Sequence, residues 1–390
     1  MRSATRCVHL RDDADPHAAS VPPLYQTATF RQPGAAEAGE FDYSRTDNPT
    51  RRLLETQLAG LEGGRHAFAY GSGMAALAAL LRLVEPGGEI LAGDDLYGGT
   101  TRWLARVAPL CGVAVRHLDA TDPERVAAAI GRRTRLLLVE TPSNPRLRIA
   151  PLAALAAVAR RRGVRLAVDN SLLSPLLQRP LALGADLVVH SATKILGGHG
   201  DLTAGVVVVD DEVLAERLAF HRNAEGAALA PFEAWLLLRG LKTLALRVEQ
   251  QGRSAALLAH HLAADPRVRR VWFPELPGHP GRELHAAQAA GPGPLLAFET
   301  GDPELSRRLV DGLRLFAVAV SFGSVASAAT LPFRLSHAAV PEPLRDRLAP
   351  PPDLVRLAVG LEDPRDLIED LEQAWAGATA SRTLAAGGER

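Results

Sequence analysis

Between residues 51 and 210, short apolar runs alternate with longer stretches of helical character. This rhythm constrains the fold more than any other feature of the chain. The apolar runs are Ala67–Tyr70, Glu89–Leu91, Ala114–His117, Leu136–Val139, Leu166–Val168, Leu187–Val189 and Gly205–Val209. They are apolar at consecutive positions, as strands buried on both faces of a parallel sheet are. The helix-like stretches are Leu53–Leu61, Met74–Leu83, Thr100–Ala108, Pro123–Ile130 and Pro151–Arg161. Alternation of this kind predicts an α/β layered fold, with a mostly parallel central sheet sandwiched by helices.

The flanks read differently. Residues 1–50 carry Pro16, Pro22, Pro23, Pro33, Gly34 and Pro49, which break every period. They read as an extended N-terminal arm. Beyond about residue 231, one or two long helices are expected over Pro231–Leu262. A strand-like Leu295–Glu299, a helix Pro303–Asp311, a strand-like Leu354–Val359 and a helix Pro364–Trp375 follow. The expected division is an arm at 1–50, an α/β domain at 51–235 and a smaller α+β domain at 236–390, with a loose tail after Gly377.

Formal charge is balanced, with 44 basic and 44 acidic residues, so no nucleic-acid or acidic-membrane partner is expected. Met1–Asp13 mixes charges and has no apolar core, so no secretion signal is expected, and the protein reads as cytoplasmic. No stretch reads as a membrane span; Leu315–Phe333 is uncharged for most of its length but carries Gly323, Pro332 and several hydroxyls. Cys7 and Cys111 are too few for a disulfide framework. His66, His199 and His337 show no metal-ligand spacing and are read either as structural or as supporting groups behind a site.

Of the basic residues only Lys194 and Lys242 are lysine; all the others are arginine. A lysine amine can lose its proton and attack a carbonyl, which guanidinium cannot do. Lys194 follows the apolar run Leu187–Val189, at the end of a parallel strand where α/β folds bind ligands. Ser191 and Thr193 beside it offer hydroxyls for a phosphate. Together they suggest a Schiff base with a phosphorylated aldehyde, pyridoxal 5′-phosphate. Asp169 ends another apolar run, and an acid there needs a partner. The protonated pyridine nitrogen of that cofactor supplies one. Tyr70-Gly-Ser-Gly-Met74 leads from a strand into a helix, whose first N–H groups bind phosphate. Gly71, Gly73 and Ala76, with Asp94 or Asp95 further on, also match a dinucleotide fingerprint, so an NAD-dependent oxidoreductase is the rival reading. Tyr97 lies after a strand, where it could stack on a flat cofactor.

Five blocks in order resemble the cystathionine γ-synthase and γ-lyase family of pyridoxal phosphate enzymes, the Cys/Met-metabolism family. They are Tyr43-Ser-Arg-Thr-Asp-Asn-Pro-Thr50, Tyr70-Gly-Ser-Gly-Met74, Glu140-Thr-Pro-Ser-Asn-Pro145, Val189-His-Ser-Ala-Thr-Lys194 with Gly198-His-Gly-Asp201, and Arg239-Gly-Leu-Lys-Thr243. The resemblance runs from about Gln26 to Leu371. It implies fold type I, the aspartate aminotransferase-like arrangement of pyridoxal phosphate-dependent transferases. It also implies that Lys194 carries the cofactor, that Asp169 faces its pyridinium, and that Tyr97 stacks on the ring and moves protons. Gly73, Met74, Ser191 and Thr193 would cradle the phosphate. Through Tyr43 and Arg45 the N-terminal arm would contact a neighbouring subunit and reach its phosphate, within a homotetramer. Asn144, Ser321 and Arg356 would hold the substrate carboxylate, with Val320 at the pocket wall and Lys242 near the entrance.

The resemblance implies a sulfur amino acid as substrate. Val320 before Ser321 is similar to methionine γ-lyases, and an apolar wall suits a methylthio group. Gly99 stands where methionine γ-lyases usually carry cysteine, Asp42 and Arg102 look like the cystathionine-processing pattern, and the loop Ser321–Ser327 departs from the usual one, with Phe322 bulkier and Ala326 lacking an acid. The expected activity is γ-elimination of L-methionine to methanethiol, 2-oxobutyrate and ammonia. The alternative is a cystathionine γ-lyase or a γ-replacement synthase.

Overall fold

The structure is a computed structural model that describes residues 1–9, 15–338 and 340–387. Residues 10–13, the end of the stretch read as lacking a secretion signal, lie outside the described residues, as does the end of the tail.

Among the described residues, the large sheet has strands β1 (His66–Tyr70), β2 (Glu89–Gly93), β3 (Ala114–Leu118), β4 (Thr134–Glu140), β5 (Arg165–Asp169), β6 (Leu187–Ser191) and β7 (Gly205–Val209). Their order is β1-β7-β6-β5-β4-β2-β3. The pairs β2/β3, β2/β4, β4/β5 and β5/β6 are parallel. β7 lies antiparallel between β1 and β6, which corrects the reading of Gly205–Val209 as a further parallel strand. The run misleads because a strand covered on both faces is apolar in either direction. Two antiparallel pairings in succession leave β1 running the same way as β6. The carboxyl ends of β1, β2, β4, β5 and β6 therefore meet at one edge of the sheet.

Local chemistry starts the helices where that edge needs them. Four named helices suffice: α1 (Ser3–Val8), α2 (Pro49–Glu62), α3 (Gly73–Leu81) and α4 (Gly98–Arg106). Asn48 caps α2 by accepting from the Thr50 N–H, and Pro49 fills the first helical position. The Ser72 hydroxyl caps α3 by accepting from the Ala75 N–H. The presence of α1 corrects the reading of residues 1–50 as wholly irregular. It buries Cys7 against Leu54, Leu58 and Val248, and that burial stabilises a turn too short to persist alone.

The second sheet comprises β8 (Arg270–Trp272), β9 (Leu295–Glu299), β10 (Ala317–Val318), β11 (Ala328–Thr330) and β12 (Leu354–Ala358), in the order β10-β11-β12-β9-β8. It is antiparallel except for β10/β11. Phe273, Phe298, Leu309 and Trp375 form its core with the helices Pro303–Gly312 and Pro364–Gly387. That last helix continues past Gly377, so the expected loose tail is helical to Gly387. The long apolar stretch after Pro231 is two helices, Pro231–Leu241 and Leu244–Ala264. Residue 235, where the sequence divides the domains, lies inside the first of these. Leu237, Leu238, Leu241, Leu244 and Val248 pack with Val206 and Val208 of β7, joining this helical pair to the large sheet. Among the described residues, no helix is long and apolar enough to cross a membrane.

Candidate active site

A cleft opens where the strand ends meet the second sheet. It is lined by Gly73, Met74, Tyr97, Asn144, Asp169, Ser191, Thr193, Lys194 and Val320, all singled out from sequence.

Lys194 sits in the turn just after β6. Its Nζ donates to Ser321 Oγ at 2.8 Å and lies 5.2 Å from the centre of the Phe322 ring. Burial, and then the charge of Arg356, lower its pKa to about 8. A half-buried amine that sheds its proton this readily is suited to attack a carbonyl.

Asp169 ends β5. Its Oδ1 accepts from the Ser171 N–H at 3.0 Å and from the Ser171 hydroxyl at 2.5 Å. Burial nonetheless raises its pKa, and the two Ser171 bonds pull the other way. The Ser171 hydroxyl also accepts from the Ser191 N–H at 2.6 Å, which ties β5 to β6. Behind Asp169, buried His190 and Glu62 pair at 2.5 Å.

The opposite end of the cleft suits a phosphate. Gly73 and Met74 open α3, so their N–H groups lack helical acceptors. A Cβ on Gly73 would stand 2.7 Å from both Cβ and Oγ of Ser191, so only glycine lets the helix start approach this strand end. The Thr193 hydroxyl donates to Ala204 O at 3.2 Å and accepts from the Ala204 N–H at 3.0 Å.

Arg356, on β12, is buried. Its Nη1 donates to Asn144 Oδ1 at 2.9 Å and its Nη2 to the Ser321 carbonyl at 3.1 Å. Its Nε is buried without a hydrogen-bond partner, a spare donor of the kind a carboxylate ligand satisfies. Burial lowers its pKa to about 10, while Glu140 and Tyr97 oppose the shift. Val320 lines the cleft but is 55% exposed, so it lies at the mouth and does not close a wall.

Glu140, Ser171 and Phe322 also line the cleft. Glu140 was quoted from sequence only as part of a block, and its chemistry was missed. It ends β4 beside Asp169 on β5, and its Oε2 accepts the Tyr97 N–H at 2.8 Å. Burial, and then Asp169, push its pKa well above the ordinary carboxylate range. The argument that singled out Asp169, an acid ending an apolar run, would have found it.

Other expected residues lie elsewhere. Lys242 ends the helix Pro231–Leu241 and is not among the residues lining the cleft, although the resemblance places it at the entrance. Tyr43 and Arg45 are exposed on the arm, outside this chain's own cleft. Arg45 stacks over the Tyr43 ring at 5.0 Å and its Nε donates to Asn223 Oδ1 at 3.2 Å. The dinucleotide alternative fares poorly on its acids. Asp94 is ion-paired with Arg148 at 2.8 Å and Asp95 with Arg146 at 2.9 Å, so neither is free for a ribose.

The cleft therefore offers an amine, a carboxylate without a cationic partner in direct contact, and a glycine-opened helix start. These fit pyridoxal phosphate: Lys194 to carry it, Asp169 to face its ring nitrogen, and Gly73, Met74, Ser191 and Thr193 to hold its phosphate. Together with the sheet order, they define a fold type I pyridoxal phosphate enzyme. The family of Cys/Met metabolism PLP-dependent enzymes matches residues 4–376, and the chain belongs to it. A chloroplastic cystathionine beta-lyase of Mimosa pudica is 49% identical over 95% of this chain and 81% of its own length. A cystathionine gamma-lyase of Bacillus subtilis is 41% identical over 96% of this chain and 99% of its own. The crystal structure of a cystathionine gamma synthase from Xanthomonas oryzae, in complex with cystathionine, superposes with a TM-score of 0.95 at 38% identity, covering 97% of this chain and 99% of that one.

Proposed function

We propose that this protein is a carbon–sulfur lyase acting on a thioether of the cystathionine type. The observation that carries the reading is the Lys194 amine, held by Ser321 within the same cleft that buried Arg356 and Asn144 border. When bound, pyridoxal phosphate supplies an electron-withdrawing ring that stabilises negative charge at the substrate Cα. Arg356 binds the substrate carboxylate through its guanidinium, with Asn144 fixing the plane. Lys194, with its lowered pKa, takes the Cα proton. Tyr97, which lines the cleft, would return a proton to the departing sulfur.

The half-exposed Val320 supports a long substrate over methionine. A distal ammonium can extend past it into water and keep its hydration. We place β-elimination first, in keeping with the names of the relatives at 48 and 49% identity, both cystathionine beta-lyases. One cystathionine and one water would give homocysteine, pyruvate and ammonia. The apolar side chain of Val320 favours the second reading, methionine γ-elimination. A homotetramer working in the cytoplasm belongs to the same proposal. It would give the arm residues Tyr43 and Arg45 a neighbouring cleft to serve.

Identification of the 2-oxo acid from L-cystathionine and L-methionine tests this. Pyruvate from cystathionine supports the proposal. From cystathionine, 2-oxobutyrate would instead mark a γ-lyase. Faster 2-oxobutyrate release from methionine would make the protein a methionine γ-lyase. Release from neither, with cystathionine formed from cysteine and an activated homoserine ester, would mark a replacement synthase.

A further inference from the structure

The peptide group between Leu96 and Tyr97 is held at both of its polar ends by side chains from distant segments, Glu140 at the end of β4 and buried His337. Its carbonyl oxygen lies 3.1 Å from His337 Nε2. Its N–H donates to Glu140 Oε2 at 2.8 Å. Facing a carbonyl, Nε2 must carry the hydrogen. His337 Nδ1 is then the acceptor, and the Ser336 hydroxyl, 3.0 Å away, donates to it. Burial keeps the ring neutral, with its pKa pushed down to about 4, which agrees with a single ring hydrogen.

The contact is tight on the His337 side. A Cβ on Gly98 would come within 2.2 Å of the Ser336 carbonyl oxygen, so the chain at 336–337 rests directly on the Tyr97–Gly98 turn. Gly99 completes the arrangement: a Cβ there would stand 2.4 Å from Tyr97 Cε1. A peptide unit is planar, so fixing its oxygen and its hydrogen fixes the plane. The plane sets the direction from which the Tyr97 side chain leaves the backbone.

We infer that Glu140 and His337 are positioning residues that clamp the Leu96–Tyr97 peptide and thereby set the Tyr97 ring against the cofactor. Glu140 belongs to the large sheet and His337 to the C-terminal domain. Tyr97 is therefore correctly placed only while the segment at 331–338 is docked. The inference rests on the proposed role of Tyr97 facing the cofactor ring.

The test uses the cofactor-loaded protein and four variants. Glu140→Ala and His337→Ala each remove one grip. Glu140→Gln keeps an acceptor oxygen, and His337→Gln keeps an N–H donor of similar reach. Visible circular dichroism reports the asymmetric surroundings of the bound ring, and absorbance reports its occupancy. Both alanine variants are expected to lose most of the dichroic signal at unchanged occupancy and to lose about tenfold in kcat with little change in KM, as for a misplaced catalytic group. Both glutamine variants are expected to recover most of the signal. Alanine variants with the parent's dichroism would overturn the clamp. If His337→Ala does not fold, His337→Phe is read in its place; it fills the space of the ring but offers no N–H to the Leu96 carbonyl, and an unchanged signal would again overturn the clamp. Dichroism needs no substrate. Loss in alanine and recovery in glutamine therefore upholds the clamp even if neither thioether is turned over, a result that would sink the proposed function alone.

Discussion

The amine of Lys194 and the hydroxyl of Ser321 meet at 2.8 Å, although 127 residues separate them in the chain. One follows β6 of the large sheet and the other follows β10 of the second. The hydrogen bond between them ties the turn after β6 to the segment that follows the second sheet's β10.

That placement sets the pH dependence of cofactor uptake. Only the neutral amine attacks an aldehyde, and burial with Arg356 puts the Lys194 pKa at about 8. Uptake of pyridoxal phosphate by the cofactor-free protein should speed up as pH rises and level off above about 8. Arg356→Gln removes a like charge, raises the lysine pKa and should move the midpoint upward. Stopped-flow absorbance across pH measures both; a rate independent of pH would contradict the assignment.

Arg356→Lys keeps the positive charge but loses the planar fork that meets Asn144 and the Ser321 carbonyl. KM should rise by roughly 10- to 100-fold, the range for losing a hydrogen bond to a charged group. Steady-state kinetics with the preferred thioether checks this. An unchanged KM would place the substrate carboxylate elsewhere.

Ser171→Ala removes the hydroxyl bond that holds the Asp169 pKa down. The carboxyl then gains its proton at higher pH. The acid limb of the kcat profile should therefore shift upward, with activity near its plateau less affected. Asp169→Asn should depress kcat across the whole profile, because the amide cannot hold the ring nitrogen protonated.

Gly73→Ala places a methyl group 2.7 Å from Ser191, at the expected phosphate site. Either α3 or the strand end must shift. Cofactor affinity, measured by equilibrium dialysis, should fall by at least tenfold, as expected when about 1.4 kcal/mol is lost. An unchanged affinity would show that the phosphate lies away from the start of α3.

Val320→Glu adds a carboxylate at the open mouth of the cleft. A distal ammonium would gain a counter-charge in a solvent-screened place. KM for cystathionine should fall several-fold while KM for methionine stays the same or rises. Equal effects on both substrates would remove Val320 from the substrate path.

Much of the cleft was legible because its residues terminate recognisable strands. Lys194 stood out as one of two lysines, and Asp169 as an acid ending an apolar run. Glu140 satisfied the same rule and was passed over, because within its block it served only as a marker of family. His337 offered no signal at all. Its partner is a carbonyl 241 positions away, and a backbone oxygen has no identity in a sequence. Rarity alone did not separate the two lysines: Lys194 lines the cleft, whereas Lys242 follows the helix Pro231–Leu241.

Strand and helix positions in the large domain were set by local patterning, since burial on both faces demands consecutive apolar residues and helix starts demand caps. The direction of β7 was not, because both-face burial looks the same in either orientation. The docking of α1 and the joining of Lys194 to Ser321 likewise depend on which surfaces meet. The sequence by itself determined the residue types able to hold a cofactor and the sheet edge that presents them. Only the tertiary structure decided how the second domain closes on that edge, because contacts between distant segments follow from shape and packing and leave no local period to read.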